Sequence, residues 1–286
     1  LSDAEPLRQR ALATLTRLPP FSPILSRLMA SLAGEDVSFL VLGELIEKDT
    51  VIAANILRMV NSAIYARRGA VSSVRHALAV LGVERVRNTV LALSISRMLH
   101  SVKTPPGWSM ERFNRHGAAA AILSDLLASR LRAEYPEGAF VAGLLHDMGR
   151  LLIAMALPDR HQMVAAHHRE TGRPWFECER EILGFDHAGL SAAALEQWNL
   201  PQPIRDAVGD HHAARPAPPG EPVPLALVLQ TADAYVNSLG HSILPAAPGP
   251  DGELGVFAPL PLEPDALSSL TARFHAEWSA VAHYYQ

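Results

Sequence analysis

Apolar residues recur along this chain at intervals of three and four, almost from end to end, and alternating β-branched runs are nearly absent. That period places one apolar stripe on each of a series of helices. An opening polar helix gives way to a turn at Arg17-Leu-Pro-Pro-Phe-Ser-Pro23, and Pro23 is suited to start the next helix. The Asp36-Val-Ser38 stretch predicts a cap for a helix from Phe39 to Lys48, with Val41, Leu42, Leu45 and Ile46 as its stripe. Asp49 or Thr50 caps another, whose core face is expected to carry Ala53, Ile56, Leu57 and Val60. Ser72 and Ser73 start a short helix that Gly82 ends, and a long helix runs from about Glu84 to His100. Thr104-Pro-Pro-Gly-Trp108 is the clearest break. Beyond it the pattern predicts helices over 109–133, 138–156, 158–171, 174–184, 187–198, 201–212 and 222–239. Proline-rich loops follow at 213–224 and 245–264, then an amphipathic helix from Asp265 to Tyr284. The expected fold class is all-α, a helical bundle of two subdomains joined by short connections.

Composition adds limits. The chain has 286 residues, 49% of them apolar, enough for a sizeable core. A net charge of −4 with only short basic runs gives no footprint for nucleic acid. No apolar run approaches the roughly 20 residues of a membrane span, and the polar start lacks a signal pattern, so no membrane association is expected. Cys178 is the only cysteine, which rules out an intrachain disulfide, fits a cytoplasmic setting, and reads as helix packing.

The chemistry centres on Gly143-Leu-Leu-His-Asp-Met-Gly149, where His146 and Asp147 interrupt an apolar run. Burying an imidazole beside a carboxylate is costly unless something satisfies both. A hydrogen-bonded core pair would do so, and so would a metal, which favours neutral imidazole and ionised carboxylate together. Neighbours on a straight helix point about 100° apart, so this pair straddles a groove and leaves the other positions to other helices. His116, His187, His211, His212 and Asp233 are the further candidates, and only a folded bundle brings them together. Histidines with carboxylates suit a divalent first-row ion such as Fe, Mn or Zn, as one or two ions.

Several stretches of the N-terminal half carry a resemblance. Leu18-Pro-Pro, Ile46-Glu-Lys-Asp49, Leu57-Arg-Met-Val-Asn-Ser-Ala-Ile-Tyr65, Val71-Ser-Ser-Val-Arg-His-Ala-Leu-Ala-Val-Leu-Gly82 and Val86-Arg-Asn-Thr-Val-Leu91 resemble the HDOD domain. That is a bacterial signalling relative of the HD-domain metal-dependent phosphohydrolases. The likeness covers roughly 12–213, as an N-terminal subdomain (12–103) and an HD-like one (108–213), with 214–286 as a C-terminal extension holding the Asp233 helix and the terminal helix. Within the motif, Asn61 and Ser62 read as helix terminators bonding to backbone.

The resemblance implies a ligand order of His, His-Asp and a distant Asp, matched here by His116, His146, Asp147 and Asp233. It also implies further histidines of the two-metal branch, matched by His187, His211 and His212. There are departures. The Gly-Tyr-Pro segment of the cyclic di-GMP phosphodiesterases is replaced by Ala213-Ala-Arg-Pro-Ala-Pro. Arg150 stands where a lysine is expected, and Arg112 where a glutamate is expected.

Two functions follow from these residues. One is a signalling module that binds a partner protein or a nucleotide second messenger without turnover, with the terminal helix as a possible homodimer contact. The other is a metal-dependent phosphohydrolase acting on a nucleotide or cyclic dinucleotide. In that case Asp147 would bridge ions or orient the attacking water, and Arg150 would clamp the phosphate.

Overall fold

The computed structural model describes residues 4–32, 38–61, 70–218, 220–244 and 254–285. In chain order its helices are α1 (Ala4–Ala13), α2 (Pro23–Leu32), α3 (Phe39–Glu47), α4 (Thr50–Val60), α5 (Val74–Leu81), α6 (Val83–His100), α7 (Met110–Arg130) and α8 (Ala139–Leu145). Then come α9 (Met148–Ala156), α10 (Pro158–Thr171), α11 (Trp175–Leu183), α12 (His187–Gln197), α13 (Gln202–Gly209), α14 (Leu225–Ser238) and α15 (Pro264–Val281). Among the described residues no strand forms beyond an isolated bridge between Ala133 and Val223, so the fold is all-α as the periodicity predicts.

Local chemistry sets the helix ends. The side chains of Ser38, Asp49, Ser73, Ser109 and Asp186 each accept a hydrogen bond from a first-turn amide of the helix that follows. Gly82 closes α5 at φ 86°, a conformation open to glycine and strained for other residues. Asn61 closes α4 by donating its side-chain amide to the carbonyls of Leu57 and Val71 while accepting from Val71 N–H. It thus ties the two ends of the segment between α4 and α5. Its predicted partner Ser62 lies outside the described residues, as do Asp36 and Val37.

The chain packs as two units. One comprises Pro20–Ser101 and Glu263–Gln286, the other Leu1–Pro19 and Val102–Leu262. This division departs from the sequence expectation in two places. The opening helix α1 belongs with the C-terminal unit, burying Ala11 in a cluster with Leu152, Ile153, Cys178 and Leu190. The presumed extension 214–286 is split. Its helix α14 packs on α7, α8 and α13 as an integral part of the C-terminal unit, whereas α15 joins the N-terminal helices. α15 buries Leu270, Phe274, Trp278 and Val281 along one face, and its Glu277 pairs with Arg85 of α6 at 2.9 Å.

Within the N-terminal unit the buried arc of α4 is Ile52, Ile56, Met59 and Val60. Ala53 and Leu57 are half-buried, not central as the stripe suggests, and Val41 of α3 is exposed. The cause is that α3, α5 and α6 all grip α4, which widens the contacted arc and centres it on Ile56 and Met59. One further expectation is revised. The run Pro136–Ala156 has 21 residues and is long and apolar enough to cross a membrane, but nearly all of it is buried within the protein. It is the core of the C-terminal unit.

Truncating the centre of the α4 arc should be expensive. Ile56→Ala is expected to cost about 2–5 kcal/mol in urea unfolding, while Leu57→Ala costs about 1 kcal/mol. Equal losses at the two positions would mean that the arc is misassigned.

Candidate metal centre

The sequence predicts one helix over 138–156, but the structure breaks it at His146–Asp147. α8 ends at Leu145 and α9 begins at Met148, with Asp147 at φ −97°, ψ 10°. Side chains hold the break. His146 Nδ1–H donates to the Gly143 carbonyl at 2.9 Å, and Gly149 N–H donates across to Ser191 Oγ at 2.7 Å. The break re-aims two adjacent residues that a straight helix would point about 100° apart, so both now face one cavity.

Glycine permits the approach of the neighbouring backbones. A Cβ on Gly143 would lie 2.6 Å from Ala121 Cα, and one on Gly149 would lie 2.2 Å from the His187 carbonyl oxygen. With no Cβ at either place, α8 presses against α7 and the start of α9 against α12. His116 of α7 then meets His146, and His187 of α12 meets Asp147.

All seven sequence candidates converge. His116 Nε2 lies 3.2 Å from His146 Nε2, 3.1 Å from Asp233 Oδ1 and 3.4 Å from Asp147 Oδ2. His146 Nε2 is 3.5 Å from Asp233 and 3.6 Å from Asp147. On the other side His187 Nε2 is 3.1 Å from Asp147 Oδ1 and 2.8 Å from His212 Nε2. His211, from the turn after α13, bridges the halves, with its ring edge-on to His146 at 5.1 Å and 3.9 Å from that of His212. His116, His146, Asp147, His187 and His211 are buried, and only His212 and Asp233 keep partial exposure. Arg150 is also buried, with Nη1 3.2 Å from Asp147 Oδ2 and its guanidinium over the Trp175 ring.

The tautomers follow from the partners. His116 Nδ1–H donates to the His241 carbonyl at 2.7 Å, His146 to Gly143, and His211 to the Val208 carbonyl at 2.7 Å. Carbonyls only accept, so each Nδ1 carries a proton and each Nε2 faces inward. His211 Nε2 is buried and has no hydrogen-bond partner. Inward-facing imidazole nitrogens alongside two carboxylates are a donor set for a cation once a metal displaces the protons on His116 and His187.

The spacing fits one as well. Nitrogen and oxygen ligands about 2.0–2.2 Å from a first-row ion stand about 2.8–3.6 Å apart. Three overlapping groups have ligand atoms that all lie within 4.8 Å of one another: His116 with His146 and Asp147, His146 with His211 and Asp233, and His187 with His211 and His212. These His/Asp groups could hold a metal.

Without a metal, protons do part of its work. Burial opposes charge on His116, but hydrogen bonds and charge from Asp147 and Asp233 outweigh it and raise its pKa to about 10. Burial likewise opposes charge on His187, and Glu179 and Asp147 raise it to about 9. Burial, helped by the nearby His146 and His187, lowers His211 to about 3. Burial and the rings of His211 and His187 lower His212 to about 2. Burial also works against ionised Asp147 and Asp233, but the facing imidazoles, with Arg150 at Asp147, hold both well below the usual carboxylate range.

Some residues at the centre escaped the sequence reading. Glu179 accepts from both His187 N–H and His187 Nδ1–H and is buried. Trp175 donates its indole N–H to Glu179 at 2.8 Å. Asn237 donates to Asp233 Oδ1 at 2.8 Å. A signal for Glu179 existed: Trp175, Cys178, Glu179 and Leu183 share the buried face of α11 at helical spacing, which puts a carboxylate where an apolar residue belongs.

The HDOD domain model matches residues 18–214, and the chain belongs to the HDOD family. Two solved structures share the fold. An HDOD domain protein of unknown function from Geobacter sulfurreducens has TM-score 0.75 and 22% identity, over 99% of each chain. A protein of Shewanella amazonensis, provisionally described as a phosphohydrolase, has TM-score 0.73 and 22% identity, over 97% of this chain and 98% of that one. An uncharacterized protein of Treponema pallidum is 23% identical over 222 residues, which is 78% of this chain and 42% of the relative, so the chain spans about two fifths of that protein's length.

Two measurements test this geometry. Gly149→Ala places a methyl group on the His187 backbone, and is expected to destabilise the protein by about 1–3 kcal/mol or more in urea unfolding; a neutral effect would contradict the close approach. The second concerns pH. His116 and His187 have raised folded pKa values, so in chelator-treated protein their stabilisation is full below about 6.5 and is lost as pH climbs through about 9 and 10. His211 and His212 have lowered values and weaken the fold as pH falls below about 6.5. Metal must displace the protons on His116 and His187. Uptake at neutral pH should therefore release about two protons, read from calorimetry in buffers of different ionisation enthalpy.

Proposed function

We propose that this chain is a signal-transduction HDOD module whose C-terminal unit holds one or two divalent first-row ions (Fe, Mn or Zn), and that the site serves binding, not turnover. The observation that carries the metal is the set of inward-facing Nε2 atoms, with His211 Nε2 buried and without a partner beside two ionised carboxylates. A buried polar atom normally has a partner, and an ion supplies one for the whole set at once. In this reading His116, His146, Asp147 and Asp233 form one corner, and His187, His211 and His212 the adjoining one. A bound ion would neutralise the carboxylates and fasten the turn between α8 and α9 to α7, α12 and α14.

Burial supports binding over turnover. Arg150, the candidate phosphate clamp, already bonds Asp147 and lies over Trp175. After His212 the chain runs through the proline-rich stretch to the bridge at Val223, and the Gly-Tyr-Pro segment of the cyclic dinucleotide enzymes is missing. The output would then pass to a signalling protein, or the module would respond to a nucleotide second messenger.

The seven-residue donor set with Arg150 against Asp147 is what favours the second reading, a metal-dependent phosphohydrolase with Asp147 and Arg150 at the reacting phosphate. Thermal unfolding with Mn²⁺, Fe²⁺ or Zn²⁺, run beside hydrolysis assays on a generic phosphodiester and on cyclic di-GMP, separates the two. Metal at a hundred times its dissociation constant should add about 2.7 kcal/mol, His146→Ala should remove that gain, and neither substrate should turn over. Robust hydrolysis that is lost in Asp147→Ala would replace this reading with the enzymatic one.

A further inference from the structure

Five side chains of the C-terminal unit form a closed circuit of contacts, only part of which belongs to the donor set. Trp175 donates its indole N–H to Glu179 Oε1 at 2.8 Å. Glu179 Oε2 accepts from the His187 backbone N–H at 2.8 Å and from its Nδ1–H. His187 Nε2 faces Asp147 Oδ1 at 3.1 Å. Asp147 Oδ2 accepts from Arg150 Nη1 at 3.2 Å, and the Arg150 guanidinium lies 5.1 Å over the Trp175 ring, which closes the loop. All five residues are buried.

The circuit makes His187 unlike the other pinned histidines. The Nδ1–H groups of His116, His146 and His211 rest on neutral backbone carbonyls. That of His187 rests on a buried carboxylate. A charged acceptor pulls the proton harder, fixes the ring more firmly and makes the opposite nitrogen a stronger donor to a metal. Trp175 holds Glu179 in place from one end and Arg150 from the other, so one indole supports both the carboxylate behind His187 and the cation behind Asp147.

We infer that Glu179 and Trp175 are positioning residues of the metal centre, tuning the corner at His187 and Asp147 through the closed circuit. The inference rests on the metal reading above. Glu179 acts through His187, and Trp175 acts through Glu179 and Arg150.

The test is a Zn²⁺ competition titration against a chelating dye with the full chain, comparing wild type, Glu179→Gln and Trp175→Phe. Glu179→Gln keeps the shape and an acceptor oxygen but removes the charge, and is expected to weaken Zn²⁺ binding by about 10–100-fold. Trp175→Phe keeps an aromatic ring under Arg150 and loses the N–H donor along with part of the ring's buried surface, for an expected loss of about fivefold. A spectroscopic signature separates tuning from support of the fold. The His187 Nδ1–H proton should resonate downfield of its carbonyl-bonded counterparts in wild type and move upfield in Glu179→Gln. Binding within twofold of wild type in a folded Glu179→Gln protein would overturn the inference. If that variant fails to fold, unchanged Zn²⁺ affinity in Trp175→Phe overturns it instead. A wild-type chain that takes up no Zn²⁺, Mn²⁺ or Fe²⁺ would sink the metal site itself, a different result from wild-type binding that ignores both substitutions.

Discussion

Two carboxylates and five imidazoles share one largely buried cavity, and the C-terminal unit is arranged around the cost of keeping them there. Burying ionised groups without compensation is prohibitive. Here each carboxylate faces imidazoles at 3.1–3.6 Å, and Asp147 also has Arg150. The backbone carbonyls of Gly143, Val208 and His241 and the carboxylate of Glu179 fix the outward nitrogens, so the inward ones form a preoriented donor set. The metal-free chain balances that set with protons on His116 and His187, and an ion would balance it with fewer groups and shorter bonds.

Close backbone approach makes the cavity possible. Gly143 lets α8 approach α7 at Ala120 and Ala121, and Gly149 lets the first turn of α9 rest on the His187 carbonyl. Between them the helix breaks at His146–Asp147, and Ser191 takes up the Gly149 amide there. An apolar stretch long enough to cross a membrane is thereby turned into a core element with a polar hinge. The break and the clustering of the candidate ligands are two views of one arrangement.

Much of this was legible in the sequence because it is local. Helical periodicity, the caps at Ser38, Asp49 and Ser73, and the Gly82 terminus are short-range chemistry, and they fall where the pattern puts them. The ligand order that the HDOD resemblance implies nominated His116, His146, Asp147, His187, His211, His212 and Asp233. What was not legible is tertiary. Periodicity over 138–156 reads as one helix, because one of the two bonds that hold its break comes from Ser191, over forty residues away. The buried arc of α4 depends on three neighbouring helices, so the stripe alone misplaced Leu57. The affiliations of α1, α14 and α15 depend on which surfaces they cover, and the family-like boundaries carry no such information. Glu179 was passed over because a glutamate near other charges on a short helix looks solvated until its register with Trp175, Cys178 and Leu183 is taken into account.

The most direct test of the account is the metal content of the chain purified without chelators, read by elemental analysis together with X-ray absorption at the metal edge. The account predicts one or two Fe, Mn or Zn ions per chain in a nitrogen- and oxygen-only environment rich in imidazole, with occupancy collapsing in His116→Ala. A folded chain that carries no first-row metal, and takes up none when incubated with Mn²⁺ or Fe²⁺ under anaerobic conditions, would contradict it.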